Sequence, residues 1–436
     1  MEYHLIFKVP HSRQLLKKLY QRIKRTASAI RRPVYLTTGE EKKRMENNRL
    51  AERLRHLVIF RSLREEPLIK ALAALLDAAD GEAESRFLDL AAELYPRGTD
   101  LARAVLDLLM TDDNLYVRAC AGGKQPGKEM SRWLEQELLA LQEAVRSSKE
   151  YQARFGLLDE LPDWTAKPLD FAAEYGRMLE SAPTTGYGVF SRYHVFSVSA
   201  DGSLMPVEHP DPQRLDELYG YGTEKEKVLK NTEALLRGLR ANNILLYGDA
   251  GTGKSSMVKA VLNEYGSRGL RLIQIEKDKL HHIPALLDHL SGNPLKFILF
   301  IDDLSFTSND RDFTALKTVL EGSVAARSRN TVVYATSNRR HLVKETFQAR
   351  QGDEVHLSDT LEEVASLSAR FGIVITFGKP DKDLYLTLVS QLAEHYGLQE
   401  PEKELLLGAE AYALRSGGRS PRVARQYVEY KIAMNS

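Results

Sequence analysis

The sequence has a single cysteine, Cys120, among 436 residues. One cysteine excludes a framework of disulfides within the chain and is typical of proteins that fold in a reducing compartment. The sequence also lacks any apolar run approaching the about 18 residues of a membrane-spanning helix, and a long apolar segment of the signal-peptide kind is missing near its start. We therefore expect a cytoplasmic protein without a membrane span.

Neither sign of charge dominates, with 61 Lys and Arg against 60 Asp and Glu, so the whole chain has no bias toward nucleic acid or membranes. Between Tyr3 and Gly39, however, there are nine basic residues and no acidic one. Apolar residues recur there at helical spacing, which predicts a basic amphipathic helix. Such a helix could bind nucleic-acid phosphates, an anionic membrane or an acidic partner, or simply pack on the N-terminal half.

Residues 248–255, Gly-Asp-Ala-Gly-Thr-Gly-Lys-Ser, match the phosphate-binding P-loop. An apolar run at 244–246 leads into the loop and a helix-like segment follows it, which is the setting that the motif needs. Glycines let backbone N–H groups turn toward phosphate oxygens, and the helix N-terminus favours negative charge. We expect a nucleotide to contact Gly248, Asp249, Ala250, Gly251, Thr252, Gly253, Lys254, Ser255 and Ser256, with Lys254 on the β- and γ-phosphates and Ser255 on Mg²⁺.

Residues 122–129 repeat the glycine and lysine spacing of the P-loop without its chemistry. Glu129 occupies the position of the Mg²⁺-binding hydroxyl, and Pro126 removes an N–H donor that the cradle requires. No buried-strand run precedes this segment. We predict an exposed loop between helices.

The chain divides by pattern into two parts. Residues 1–185 are predicted to form a mainly α-helical domain, because apolar residues recur three or four apart at 68–79, 82–94, 100–110 and 129–147. Residues 186–212 combine a strand-like alternation, an Asp201-Gly202 turn and a proline-containing stretch. This segment is predicted to be a hairpin and linker, with the domain boundary near residue 205.

Strand and helix patterns alternate from residue 213 onward, which predicts an α/β core with a parallel sheet covered by helices on both faces over 213–380. The predicted strands lie at 244–247, 270–275, 297–301, 331–336 and 372–377. Residues 381–436 are predicted to form a small helical lid from segments at 381–396, 401–416 and 420–434.

Polar side chains follow two of these strands. The strand at 297–301 ends in Asp302 and Asp303, where we expect Asp302 to hold Mg²⁺ and Asp303 to act as the general base for the attacking water. The fourth strand ends near Asn338, whose amide could orient that water against the γ-phosphate or merely cap the loop.

Two arginines are candidates for neutralising phosphate charge. Ser420 and Pro421 predict a helix start, which places Arg422 in the first helical turn, where a cation normally opposes the helix dipole. A bound γ-phosphate would explain a cation at this position. Arg370 could reach the nucleotide of a neighbouring subunit, with Arg327 and Arg329 as rivals, and a surface ion pair is an alternative for each.

This set of motifs, in this order, resembles the AAA+ ATPases over residues 213–436. The strings at 215–221, 241–248, 301–306 and 335–342 more closely resemble an uncharacterised bacterial family of AAA+-type ATP-binding proteins. The resemblance implies a P-loop NTPase core with a helical lid, ATP and Mg²⁺ as ligands, a homo-oligomer, and an adenine pocket formed by Tyr219, Gly220 and Tyr221. It implies ATP hydrolysis that remodels an unknown protein or nucleic-acid partner bound through the N-terminal domain. Most motor ATPases of this kind carry Glu where this chain has Asp303, so a slowly hydrolysing, nucleotide-gated switch is the alternative.

Overall fold

The computed structural model describes residues 39–79, 81–155, 162–304, 316, 320, 329–338 and 369–435. The predicted basic helix before Gly39 and the candidate Arg327 lie outside the described residues. The chain divides into two compact units, one ending at Arg192 and the other beginning at Tyr193. No helix in the described part of the chain is both long and apolar enough to cross a membrane.

The first unit is built from helices, which confirms the prediction of a mainly helical N-terminal region. Side chains of Asp100, Asn114 and Asp170 accept hydrogen bonds from backbone N–H groups and so begin three of these helices. Leucine-rich faces pack into one apolar core. The helices are α1 (Gly39–Arg55), α2 (Pro67–Leu76), α3 (Ala83–Leu94), α4 (Leu101–Thr111), α5 (Leu115–Ala121), α6 (Lys128–Phe155), α7 (Phe171–Thr185) and α8 (Val189–Arg192). The imperfect P-loop copy at 122–129 connects α5 to the start of α6.

The second unit is organised around a seven-stranded sheet with the order β2-β1-β4-β5-β6-β3-β7. All neighbouring pairs are parallel except β1 with β2. The inner strands read as continuous apolar runs because both faces of a parallel sheet are covered. The strands are β1 (Val195–Val198), β2 (Leu204–Pro206), β3 (Ile244–Gly248), β4 (Leu270–Gln274), β5 (Lys296–Ile301), β6 (Thr331–Asn338) and β7 (Ile373–Phe377). The α/β fold class with a parallel core sheet is confirmed.

The β1–β2 hairpin is an edge of this sheet. Phe196 of β1 lies in parallel register with Ile273 of β4 and opposite Pro206 of β2. The second unit therefore begins at Tyr193, ahead of the boundary that the sequence places near residue 205. The pattern of residues 193–199 indicates a strand, but its pairing with a distant strand is not a local property of the sequence.

Helices α9 (Gly222–Leu236), α10 (Lys254–Tyr265) and α11 (Ile283–Leu290) belong to the same unit as the sheet. Three further helices follow β7: α12 (Lys382–His395), α13 (Glu402–Arg415) and α14 (Pro421–Asn435). These three pack around their own apolar cluster. We call them the lid.

Candidate functional site

The strand order brings the separate motifs to one edge of the sheet. β6 lies between β3 and β5, so Asn338 at the end of β6 sits between the P-loop after β3 and the carboxylates after β5. Carboxyl ends of parallel strands meet at the same sheet edge, which is where α/β proteins bind ligands. A cleft of about 450 Å³ opens there between this edge and the lid.

Glycines fix the course of the P-loop. Gly248 has φ +146°, and a Cβ at this position would collide with the Phe377 carbonyl of the neighbouring strand. Gly251 has φ +78°, and its added Cβ would lie 3.2 Å from Ser420 Oγ and 3.4 Å from Arg422 Cβ in the lid. These positions need glycine both for the left-handed backbone and for the close approach of other chain segments.

The Lys254 side chain is held inside the loop. Its ammonium donates to the carbonyls of Gly248 (3.1 Å) and Asp249 (2.7 Å) and to Oδ1 of Asn338 (2.9 Å). Burial lowers the pKa of Lys254 from its usual value and the charge of Arg422 acts in the same direction, whereas nearby carboxylates, Asp302 among them, oppose the shift. The ammonium is thus a preorganised cation at the floor of the cleft.

Asp302 receives several donors on one oxygen. Its Oδ1 accepts from Ser255 Oγ (2.6 Å), from Thr336 Oγ1 (2.6 Å) and from the Asp303 N–H (3.2 Å). The Ser255 hydroxyl and the Asp302 carboxylate are hard oxygen donors of the kind that Mg²⁺ prefers, and both line the cleft. These two residues therefore fit a Mg²⁺ ion that completes its shell with phosphate and water.

Asp303 and Asn338 form a second contact across the strand ends. Asn338 Nδ2 donates to Asp303 Oδ1 at 2.8 Å, while its Oδ1 accepts from Lys254. A carboxylate can only accept and an ammonium only donate, so one orientation of the amide satisfies both. Asp303 has φ +52°, a left-handed conformation that costs a non-glycine residue about 1–2 kcal/mol. Its N–H donates to Thr336 Oγ1 at 2.9 Å, which holds this turn in place.

The lid contributes its last helix to the cleft. Ser420 Oγ accepts from the Val423 N–H at 3.2 Å and so caps α14. The Arg422 N–H donates to the Gly251 carbonyl of the P-loop at 3.2 Å. Arg422 and Arg425 both line the cleft from this helix, one turn apart.

The segment before α9 forms another part of the cleft wall. Tyr221 has φ +53°; its hydroxyl donates to the Gly378 carbonyl at 2.6 Å, and burial raises its pKa to about 12. Tyr219 packs on the lid cluster, and an added Cβ at Gly220 would lie 3.4 Å from the Leu384 side chain of α12. The three residues thus line the cleft where core and lid meet.

A family profile described as a protein of unknown function, DUF815, matches residues 191–435, which is more than half of the chain. The chain belongs to this family. A relative is the Holliday junction branch migration complex subunit RuvB of Salinibacter ruber, 29% identical over 201 residues, or 41% of this chain and 57% of the relative. The chain thus spans little more than half the length of this relative.

Solved structures of the Thermotoga maritima RuvB Holliday junction branch migration motor are similar over half of the chain. The motor is 18% identical with a TM-score of 0.34 and covers 50% of this chain and 63% of the other. A point mutant of it is 17% identical with a TM-score of 0.35, at 50% and 64% coverage. The family match and the sequence similarity to the Salinibacter ruber relative confirm the prediction of an AAA+ protein from an uncharacterised family.

Two of the arginines considered for a neighbouring subunit, Arg370 and Arg329, lie away from the cleft of this DUF815 member. Arg370 precedes β7 by three residues and Arg329 precedes β6 by two, so both lie at the amino ends of strands whose carboxyl ends form the site. A five-residue strand rises about 17 Å, which separates Arg370 from the P-loop of the same chain. Neither Arg370 nor Arg329 is among the residues that line the cleft.

Several residues of the site were not singled out from the sequence, and three of them contact or neighbour the predicted ones. Thr336 bridges Asp302 and Asp303, Phe377 packs its ring 5.1 Å from that of Tyr221, and Arg425 lines the cleft. The three-residue spacing from Arg422 was a signal for Arg425, since such residues share a helix face. Thr336 and Phe377 gain their positions from strand pairing, for which no local signal exists. Within the described residues, no cluster of three or more His, Cys, Asp or Glu side chains could hold a metal ion.

Proposed function

We propose that this protein binds ATP with Mg²⁺ in the cleft and hydrolyses it to ADP and phosphate. The observation that carries the proposal is the unbroken chain of hydrogen bonds from Lys254 through Asn338 to Asp303 beside a complete P-loop. A phosphate-binding cation, a polar amide and a carboxylate base are the groups that in-line attack of water on a γ-phosphate requires.

The roles follow from the contacts. The loop N–H groups and Lys254 would hold the β- and γ-phosphates, and Ser255 and Asp302 would hold Mg²⁺, which neutralises charge on the phosphates. Asp303 accepts a proton from the attacking water while the oxygen of that water forms a bond to the γ-phosphorus. The bond from that phosphorus to the bridging oxygen breaks, and ADP leaves. Asn338 orients Asp303 and the water, and Arg422 neutralises charge on the transferred group.

We propose that the lid couples ATP hydrolysis to a conformational change. Its helix α14 contacts Gly251 through a backbone hydrogen bond and lines the cleft with Arg422, so loss of the γ-phosphate changes what the lid can bind. We propose that this motion remodels a partner held by the helical N-terminal unit. Arg370, at the far end of β7, would complete the site of a neighbouring subunit in a homo-oligomer.

Phosphate release by the wild-type chain and by Asp303→Asn tests the reaction. The variant preserves shape but removes the base, so release should fall by at least about 100-fold while ATP still binds. Equal release by both proteins would refute the role of Asp303.

A nucleotide-gated switch with slow turnover is the second candidate. It is favoured by the short side chain of Asp303, which Asn338 holds at 2.8 Å. Under this alternative, the wild-type oligomer, supplied with DNA, RNA and protein partners, releases no phosphate above the Asp303→Asn control, yet ATP changes its affinity for a partner.

The class of partner is tested through the basic stretch before Gly39. The Salinibacter ruber relative is described as a subunit of a Holliday junction branch migration complex. A nucleic-acid partner predicts salt-dependent binding that is lost when Lys17, Lys18, Arg22, Lys24 and Arg25 are neutralised. Binding that ignores salt and survives neutralisation would favour a protein partner. We also propose that the protein functions in a reducing compartment such as the cytoplasm.

A further inference from the structure

The cleft has a polar part that phosphate binding does not use. Gln213, Glu217 and Arg425 line it together with the P-loop. The Gln213 carbonyl accepts from Asn263 Nδ2 at 2.8 Å. Asn263 lies nine residues after Lys254 on α10, or about 14 Å along the helix axis. The backbone of Gln213 is therefore anchored to α10 beyond the phosphate cradle.

Gln213 and Glu217, which line this part of the cleft, each have an acceptor oxygen with no hydrogen-bond donor among the described residues. Glu217 Oε2 accepts from Gln213 Nε2 (2.7 Å) and from the Arg214 N–H (3.0 Å). These bonds fix both side chains and orient the Gln213 amide with its nitrogen toward Glu217. Within the described residues, Glu217 Oε1 and Gln213 Oε1 accept no hydrogen bond, and neither is sealed from solvent.

Arg425 brings positive charge to this cleft. A carboxylate alone would repel a bound polyanion, and a guanidinium that lines the same cleft reduces that repulsion. Arg425 is half-buried, makes no ion pair within 4.0 Å among the described residues, and its charge also helps to lower the pKa of Asp211.

We propose that Glu217 and Gln213 bind the ribose hydroxyls of the nucleotide, so that the cleft selects ribonucleotides over 2′-deoxyribonucleotides. A vicinal diol offers two O–H donors, which match the two acceptor oxygens. Carboxylates bind ribose hydroxyls in the same way in dinucleotide-binding folds. The flat base is accommodated by the apolar surface of Tyr219, Leu388 and Leu392. This inference rests on the proposed nucleotide binding and adds the sugar to it.

The test compares dissociation constants for ATP, 2′-deoxy-ATP, 3′-deoxy-ATP and GTP. A hydroxyl donating to a carboxylate contributes about 1.5–3 kcal/mol, so the wild-type chain should bind ATP at least about tenfold more tightly than the deoxy-nucleotide that lacks the hydroxyl bound by Glu217. The other deoxy-nucleotide loses a bond to the neutral Gln213 amide and should bind less weakly. In Glu217→Gln the larger preference should fall below about threefold, while the preference for ATP over GTP stays as it was. Asp216→Asn is the matched control, because Asp216 neighbours Glu217 but does not line the cleft, and it should leave every ratio unchanged.

Gln213→Leu removes the second acceptor and should also weaken discrimination against one of the deoxy-nucleotides, provided that its melting temperature matches that of the wild type. Equal affinity of the wild type for all three adenine nucleotides would overturn the sugar assignment alone. A change in the ATP-to-GTP ratio in Glu217→Gln would overturn it in favour of base recognition. Failure of the wild type to bind ATP at all would instead refute the proposed function.

Discussion

The Thr336→Val substitution should separate the chemistry of the site from nucleotide binding. Valine has nearly the shape of threonine, so the change removes one hydroxyl from a side chain that is 2% exposed. That hydroxyl donates to Asp302 Oδ1 at 2.6 Å and accepts from the Asp303 N–H at 2.9 Å. Its loss frees the left-handed turn at Asp303, whose φ is +52°.

The magnitude follows from these contacts. A hydrogen bond to a charged group is worth about 1.5–3 kcal/mol, and the left-handed conformation that it helps to maintain costs about 1–2 kcal/mol. When the Asp303 carboxylate is displaced and the activation free energy rises by about 2–3 kcal/mol as a result, kcat falls by about 30- to 150-fold. Lys254 and the loop N–H groups are untouched, so ATP affinity should change by less than about threefold.

Steady-state phosphate release gives kcat, and equilibrium titration gives the affinity for ATP. Thr336→Ser keeps the hydroxyl and should retain kcat within about threefold of the wild type, because serine can make both bonds. A Thr336→Ser variant as slow as Thr336→Val would refute the reasoning, since side-chain packing would then matter more than the hydroxyl. So would a loss of ATP affinity as large as the loss in kcat.

Three further predictions concern stability, the loop and pH. Tyr334→Phe should lower the free energy of unfolding by about 1–3 kcal/mol, because the buried hydroxyl contacts Thr232 Oγ1 (2.8 Å) and Asn231 Nδ2 (3.1 Å). Urea titrations measure this, and an unchanged midpoint would contradict it. Gly251→Ala should weaken ATP binding by about tenfold, because Gly251 has φ +78° and an added Cβ would press against Ser420. Unaltered binding would contradict this, since the lid would then move to accept the methyl group at no cost. Burial lowers the pKa of Lys254 from 10.5, and only the charged form of this side chain binds phosphate, so kcat/KM should begin to fall at alkaline pH below 10.5. A fall that begins only at or above pH 10.5 would contradict the assignment.

The fold could be predicted where local pattern and chemistry agree. The strands after residue 213 were predicted within a few residues, because buried parallel strands are short apolar runs bounded by loop residues. The lid helices were predicted equally closely from helical spacing and from the Ser420-Pro421 start of α14.

What local pattern could not give was pairing across the chain. The hairpin at β1 and β2 joins the edge of the sheet only because β1 aligns with β4, and that register depends on surfaces formed by distant residues. The same limit applies to Thr336, which contacts Asp302 and Asp303 only because β5 and β6 are neighbours in the sheet. Aspartate adopts the left-handed conformation more readily than most residues, and the contact with Thr336 fixes that turn at Asp303.

Equilibrium binding of ATP in the presence of Mg²⁺ to the wild-type chain and to Lys254→Ala tests the central claim most directly. The P-loop lysine is a buried cation at the floor of the cleft, so its removal should weaken binding by at least about tenfold. Lys128→Ala provides the matched control, since Lys128 is exposed and occupies the same position in the imperfect copy at 122–129. We predict a large loss in Lys254→Ala and none in Lys128→Ala. Unchanged affinity in Lys254→Ala would contradict the assignment of residues 248–255 as the nucleotide site.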